Sequence, residues 1–180
     1  MTMTDRRRSA SRLGLSVVFL LLLFVGLSYS GRPVVGDDGV RTDKVLVNKG
    51  QRKLYLMHEG KILKWYWIAL GRNPVGAKTQ RGDGRTPEGT YYVVNRNAHS
   101  TFYRSLTLSY PNQKDRQQAL QAKQDPGRGI EIHALPDGFE PTGPGARMID
   151  WTEGCIAVTN EDMDEIWARV NIGTTVEIRP

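Results

Sequence analysis

The chain carries a single cysteine, Cys155, and a histidine, His133, at the end of an alternating apolar run. A cysteine thiolate is a strong nucleophile, but a free thiol with a pKa of about 8.5 needs an adjacent base or cation to act near neutral pH. A neutral imidazole can take the thiol proton and later return it to a leaving amine. The two residues therefore predict acyl transfer, with Cys155 as nucleophile and His133 as base.

Two residues beside the cysteine fit the same chemistry. Gly154 allows a tight backbone turn, and the amides of residues 154 and 155 are candidate donors to the oxyanion of a tetrahedral intermediate. Thr152 is placed to hydrogen-bond near the thiol or to hold the loop. A single Cys is also often a small buried hydrophobe, so the residue types alone leave a non-catalytic domain open.

The first 30 residues differ in character from the rest. Three consecutive arginines precede an uncharged run of 15 residues, 13–27, and Ser-Tyr-Ser at 28–30 places small residues where a signal peptidase reads. The run is shorter than the roughly 20 residues of a membrane-spanning helix. It predicts a cleaved signal peptide over residues 1–30, with a short N-terminal anchor as the alternative, and therefore an exported protein that meets the membrane only through this segment.

Export changes the meaning of the cysteine and of the charge. Cysteines in an oxidising compartment are usually paired, so an unpaired Cys155 predicts a reactive thiol or an intermolecular disulfide. Residues 1–30 contain four arginines and one aspartate, so without them the net charge falls from +6 to +3. This weak positive balance suits a polyanionic cell wall and shows no clustered basic footprint for nucleic acid.

The sequence gives no indication of a metal or a cofactor. Three scattered histidines and one cysteine lack the spacing of metal ligands. The glycine-rich segment 82–89 matches neither the GxGxxG nor the GxxxxGK pattern of phosphate-binding loops. We therefore expect a protein that works without either.

The hydropathy pattern predicts a linker over residues 31–43 and one domain over residues 44–180. Period-2 alternation and turn residues favour a mostly β domain with two peripheral helices. His99 is assigned to a loop between two strands. The predicted strands lie at residues 45–47, 53–57, 62–70, 90–95, 105–109, 130–133, 156–158 and 174–178.

Two segments predict helices. Asn112 is placed to cap a polar helix that ends near residue 123 and is anchored through Ala119 and Leu120. Thr159 is placed to cap a second helix. Its apolar stripe consists of Met163, Ile166, Trp167 and Val170.

The segment 71–89 is a long loop with cations along it, among them Lys78, Arg81 and Arg85. Loops of this length in a small domain are uncommon and often functional. One interpretation is a solvated loop, and the other is a rim that presents cations to a carboxylate-bearing substrate.

Glu131 lies on the same polar strand face as His133. It is either a residue that orients the imidazole or a solvated carboxylate.

Several segments, in order, resemble the L,D-transpeptidase (YkuD-type) family. IEIHA at 130–134 and DWTEGCIAVTNEDMDEIW at 150–167 resemble its signature, in which a strand-borne histidine precedes a Ser/Thr-x-Gly-Cys segment. GDGRTPEGTY at 82–91 resembles the Thr-Pro-x-Gly loop of the family, and YPN at 110–112 is similar to its YafK-like branch. The resemblance covers about residues 44–178.

This resemblance implies a β-sandwich or barrel-like catalytic domain in the periplasm that acts on peptidoglycan stem peptides, with a diaminopimelate-containing tetrapeptide as the expected donor. Cys155 would attack the carbonyl of an L-centre next to a D-residue and form a thioester, with His133 as base. Thr152 and Gly154 match the motif. The acyl group would pass to an amine, which gives a crosslink or attaches a protein such as a lipoprotein to the wall, or to water.

The sequence departs from the family pattern at two positions. Ala134 stands where a glycine commonly follows the histidine, and Ala157 stands where many members have Arg or Asn. Arg85, Lys78 and Arg147 are the candidates to supply the missing substrate contact. Ala157 also fits the YafK-like branch, in which some members resemble hydrolases. Transfer, hydrolysis and a non-catalytic wall-binding module therefore all stay open.

Overall fold

The computed structural model describes residues 40–136, 138–139 and 149–180. The expected signal peptide, residues 31–39 of the expected linker, and Arg147 lie outside the described residues. Within the described ranges, no helix has the length and apolar character needed to cross a membrane.

The described residues form strands and helices largely where alternation and capping predicted them. The longest strand is β4, which continues through a hairpin into β5. In chain order the elements are β1 (Lys44–Asn48), β2 (Lys53–His58), β3 (Lys61–Trp67), β4 (Gly89–Ser100), β5 (Tyr103–Leu108), α1 (Gln113–Gln121), β6 (Glu131–His133), β7 (Ile156–Ala157), α2 (Asn160–Arg169) and β8 (Thr175–Arg179).

The strands join into one mixed sheet in the order β3-β2-β1-β8-β4-β5-β6-β7. The pairs β1–β8 and β6–β7 are parallel, and the others are antiparallel. Ala69, which follows β3, exchanges two backbone hydrogen bonds of 2.9 Å with Ala157 of β7. Because β3 and β7 end the strand order, this bridge joins the two edges and curls the sheet into a barrel-like form. The expected mostly β fold with two helices is confirmed.

The core follows from the alternation within the strands. In β1 and β2 the residues at every second position, such as Val45 and Leu54, are fully buried. Each such side chain contributes about 1.5–3 kcal/mol through removal of its apolar surface from water. Helix α2 completes the core with Met163, Ile166 and Val170, while Trp167 is half-buried under the guanidinium of Arg96 at 4.3 Å.

Both predicted helix caps are present. Asn112 accepts from the Asp115 amide at 3.0 Å, and the Asp115 carboxylate accepts from the Asn112 amide at 2.9 Å, which is a capping box. Thr159 Oγ1 accepts from the Asp162 amide at 3.1 Å. Ala119 is buried as expected. The expected Leu120 anchor is wrong, because the next position lies about 100° around the helix and is 78% exposed.

The assignment of His99 to a loop is also wrong. His99 lies in β4, which extends beyond the predicted residues 90–95 because it pairs with β5 as far as Ser100 and Tyr103. This pairing depends on the partner strand, and the polar sequence after residue 95 does not indicate it.

Candidate active site

Strands β6 and β7 bring the predicted nucleophile and base to one face of the sheet. Their parallel register pairs Ile132 with Ile156 and His133 with Ala157. Paired residues of adjacent strands project to the same face, and successive residues alternate. Ile132 and Ile156 are fully buried in the core. The opposite face therefore carries Glu131 and His133 on β6 and Cys155 immediately before β7.

The turn before the cysteine is closed by the threonine side chain. Thr152 Oγ1 accepts a hydrogen bond from the Gly154 amide at 3.1 Å and donates to the Cys155 carbonyl at 2.8 Å. Of the two predicted oxyanion donors, the Gly154 amide is thus already engaged. The amide of Cys155 itself becomes the candidate donor.

Gly154 is a position where only glycine fits. Its φ is +131°, and a Cβ built there would lie 2.5 Å from the carbonyl oxygen of Arg85. Real Cβ atoms do not approach a backbone oxygen this closely. The turn of the nucleophile therefore packs directly against the backbone of loop 71–89.

The thiol of Cys155 is half-buried and opens into a cleft of about 310 Å³. Its Sγ lies 3.6 Å from the Gly129 carbonyl oxygen. Burial raises the pKa of the Cys155 thiol to about 11; a hydrogen bond from the Glu131 amide lowers it, the Glu131 charge raises it and the Lys78 charge lowers it. The thiol is thus protonated near neutral pH, and attack requires a base. The cleft is lined by Lys78, Arg81, Gly82, Gly127, Arg128, Gly129, Ile130, Glu153 and Cys155.

His133 is 2% exposed and held between aromatic rings. Phe102 lies against it at 4.3 Å between ring centroids, and Trp151 meets it edge-on at 5.7 Å. Burial lowers the pKa of His133, opposed by the Ala134 carbonyl and the Glu131 charge. The imidazole is therefore neutral at neutral pH, the form that can act as a base.

The hydrogen bond to Ala134 fixes the tautomer of the histidine. Nδ1 lies 2.6 Å from the Ala134 carbonyl oxygen. A carbonyl oxygen only accepts, so Nδ1 carries the proton and Nε2 keeps its lone pair. Ala134 is fully buried, and its backbone supplies this contact.

Within the described residues, no hydrogen bond joins Cys155 to His133. The thiol donates to Gly129, and the imidazole donates to Ala134. Catalytic hydrogen bonds are often long before substrate enters and shorten in the reacting complex. The structure therefore places the two groups on one face without a formed ion pair, and the pKa directions of both agree with two neutral partners.

Two of the three candidates for the missing substrate contact, Lys78 and Arg85, are among the described residues, and they differ in their placement. Lys78 lines the cleft, but its Nζ is paired with Asp83 at 2.8 Å, with both side chains less than a tenth exposed. Burial opposes ionisation of Asp83, yet hydrogen bonds from Lys78 and three backbone amides hold its pKa below the usual range. The Arg85 guanidinium points instead to the Ala77 carbonyl oxygen at 3.5 Å and does not line the cleft.

Loop 71–89 is anchored from below by a buried lysine. Lys49 is 2% exposed, and its Nζ donates to Gly76 O at 2.7 Å, to Thr86 O at 3.0 Å and to Glu88 Oε1 at 2.7 Å. Gly71 pairs with Thr152 across a backbone bridge. The loop is therefore a fixed wall behind the nucleophile turn.

Sequence reasoning missed several members of the site. Arg128 is exposed in the cleft between two glycines with φ of +77° and +79°, a position that no local pattern indicated. Arg81, one of the predicted cations of loop 71–89, also lines the cleft and is paired with Asp125 at 2.8 Å. Phe102 and Trp151 were likewise not assigned to the histidine, because their contacts join distant segments. Across the described ranges, no three His, Cys, Asp or Glu side chains converge as a metal site.

The chain is similar to several known proteins. The curated protein "Putative L,D-transpeptidase YafK" of Escherichia coli (strain K12) is 29% identical over 109 residues, which are 59% of this chain and 36% of that protein. The helical cell shape determining protein Pgp2 from Campylobacter jejuni is 27% identical with a TM-score of 0.58, over 80% of this chain and 52% of that chain. Bdellovibrio bacteriovorus Bd1075 is 25% identical with a TM-score of 0.54, over 78% and 49%.

The chain thus spans about a third of the curated relative and about half of these solved chains. The family model described as the L,D-transpeptidase catalytic domain matches residues 42–178. That match contains the histidine strand, the anchored loop and the cysteine turn. The chain belongs to the L,D-transpeptidase catalytic domain family.

Proposed function

We propose that this protein is a cysteine-dependent acyltransferase that acts on peptidoglycan stem peptides through a thioester on Cys155. One observation carries the proposal. A neutral His133 with a free Nε2 lone pair shares a sheet face with Cys155, whose protonated thiol opens into a cleft. This arrangement supports general-base activation of the thiol at the moment of attack.

The reaction would proceed in two steps. In the first, His133 Nε2 takes the thiol proton, Sγ attacks the carbonyl carbon next to the D-residue, and the imidazolium returns the proton to the leaving amine as the C–N bond breaks. The Cys155 amide would donate to the oxyanion of the tetrahedral intermediate. In the second step a neutral amine attacks the thioester carbon, the C–S bond breaks, and one N–H proton passes through His133 to the leaving Cys155 thiolate.

Hydrolysis is the second candidate, because water can replace the amine in the second step. Ala157 favours it: the residue is buried, its backbone is paired with Ala69, and its methyl group offers an acceptor no polar contact. Both reactions share the thioester, so they differ only in its final acceptor.

The proposed reaction would take place in the periplasm, and cationic side chains would bind the donor. Residues 1–30 would direct export to the periplasm, 31–43 would link, and 44–180 would form the catalytic domain. Lys78, with Arg85 and Arg147, stays the proposed set for carboxylates of the stem peptide, and the cleft position of Lys78 supports its inclusion. A wall-attached lipoprotein is a proposed amine acceptor.

The test is product analysis with the full chain. Tetrapeptide-bearing muropeptides are incubated with the protein, with and without an amine acceptor, and products are identified by mass spectrometry. A dimer or amine adduct identifies transfer, and a shortened peptide alone identifies hydrolysis. Cys155→Ala should abolish both while its circular dichroism stays unchanged. Unchanged turnover in that variant would refute the thioester, and absence of any product or thiol labelling in the parent would point to a non-catalytic module.

A further inference from the structure

Glu131 is a carboxylate beside the nucleophile that the steps above do not use. One position before the Ile132–Ile156 pair, the register sets Glu131 alongside Cys155, and alternation puts it on the same face as His133. The Glu131 amide also helps to lower the pKa of the thiol. The carboxylate therefore lies on the same face of the sheet as the thiol and the imidazole, although it is not among the residues that line the cleft.

The side chain of Glu131 is held in place on one side only. Thr107, its cross-strand partner on β5, donates through Oγ1 to Glu131 Oε1 at 2.9 Å. In the part of the chain that the structure describes, no lysine, arginine or histidine forms an ion pair with it. Thr107 thus fixes Oε1, and within the described residues Oε2 has no hydrogen-bond or ion-pair partner.

A carboxylate at this position works against the nucleophile. Its negative charge disfavours the neighbouring thiolate, which is a cost in a site that must form one. The other charged groups facing the thiol are Lys78, Arg81 and Arg128, together with Glu153, which is already paired with Arg72. A carboxylate that carries this cost without a protein partner fits the binding of a cation during the reaction.

We propose that Glu131 binds the ammonium group of the amine that exchanges with the acyl group on Cys155. The inference rests on the proposed function and names the acceptor side of the same site. The bound ammonium releases one proton to water, its nitrogen attacks the thioester carbon, and the C–N bond forms as the C–S bond breaks. The second N–H proton passes through His133 to the leaving thiolate. Water is uncharged and gains nothing from Glu131, so the residue separates aminolysis from hydrolysis.

Glu131→Gln removes the charge and keeps the contact to Thr107, because the amide oxygen accepts the same hydrogen bond. Thioester formation is followed by intact-protein mass with a tetrapeptide donor, and its breakdown is followed against increasing diaminopimelate. We expect the KM for the amine to rise about tenfold or more, because one charge-assisted hydrogen bond is lost. The acylation rate is measured separately, because the Glu131 charge also acts on the pKa of Cys155 and of His133. The KM for the amine should rise by a larger factor than any change in the acylation rate. Hydroxylamine, which is uncharged near neutral pH, should react equally with both proteins.

Glu59→Gln is the matched control, since it makes the same charge change at an exposed turn between β2 and β3. An unchanged KM for the amine in Glu131→Gln would overturn the inference. An equal loss in acylation would also overturn it, because Glu131 would then act on the thiol or the imidazole. Failure of the parent protein to form any thioester would instead refute the proposed function, and the inference with it.

Discussion

Gly154→Ala should separate the position of the nucleophile from the stability of the fold. A Cβ at this residue would lie 2.5 Å from the Arg85 carbonyl oxygen, where an ordinary contact begins near 3.4 Å, so the turn and loop 71–89 must separate by up to about an ångström. The backbone at φ +131° adds strain of about 1–3 kcal/mol for a non-glycine residue. A displacement of about 1 Å at the reacting atom costs about 10²-fold in rate. We therefore expect a modest loss of stability and a large loss of acylation.

Gly60→Ala is the control for backbone strain. Gly60 also has a positive φ, +77°, but a Cβ there meets nothing within 4 Å. Urea unfolding should show a loss for both variants, whereas the rate of thioester formation by Cys155 should fall only in Gly154→Ala. If Gly154→Ala acylates within about threefold of Gly60→Ala, the close packing of the two backbones does not position the thiol, and this reasoning is refuted.

Three further predictions concern the same turn and its surroundings. Alkylation of Cys155 by iodoacetamide should increase up to about pH 11, because burial raises the pKa of the thiol to about 11. The folded state should accordingly lose stability, relative to Cys155→Ala, as pH rises from the ordinary thiol pKa of about 8.5 toward 11. Thr152→Val should cost about 1–3 kcal/mol in urea unfolding and slow acylation, since the Gly154 amide and the Cys155 carbonyl lose their partner, whereas Thr152→Ser should retain both bonds and stay near the parent. Lys78→Met should destabilise by about 3–5 kcal/mol because it leaves the Asp83 carboxylate buried without its cation, and a loss below 1 kcal/mol would contradict the buried ion pair.

Local patterns were sufficient for most of the scaffold. Alternation located every strand, and all but the end of β4 to within a few residues. A capping side chain immediately before the first turn, which accepts from the amide three residues later, located both helix N-termini. These patterns depend on residues that are close in sequence, so they can be recognised without knowledge of the fold. The expectation for Leu120 was wrong because Ala119 and Leu120 are adjacent apolar residues, and only packing against the rest of the domain decides which of them is buried.

Only part of the candidate site could be predicted from the sequence. Cys155 and His133 were identifiable from residue type and order, and the structure places them on one face. The burial of Lys49 could not be predicted, because it depends on the Glu88 carboxylate and on two carbonyls of a loop much later in the chain. The position of Arg128 in the cleft depends on how the segment after α1 returns to the cysteine turn. Long-range contacts of this kind leave no periodic signal.

The bridge between Ala69 and Ala157 means that Cys155 is positioned only after the two edges of the sheet have joined. Strand β7 has only two residues, and it is held by β6 on one side and by this bridge on the other. Cys155 immediately precedes the seam at which the first and last strands of the sheet order meet. A chain that has formed its hairpins but not this seam has no assembled pair of thiol and imidazole. Under the proposed mechanism, reactivity of Cys155 toward the donor would therefore report closure of the whole sheet, and a partly folded chain would be inactive.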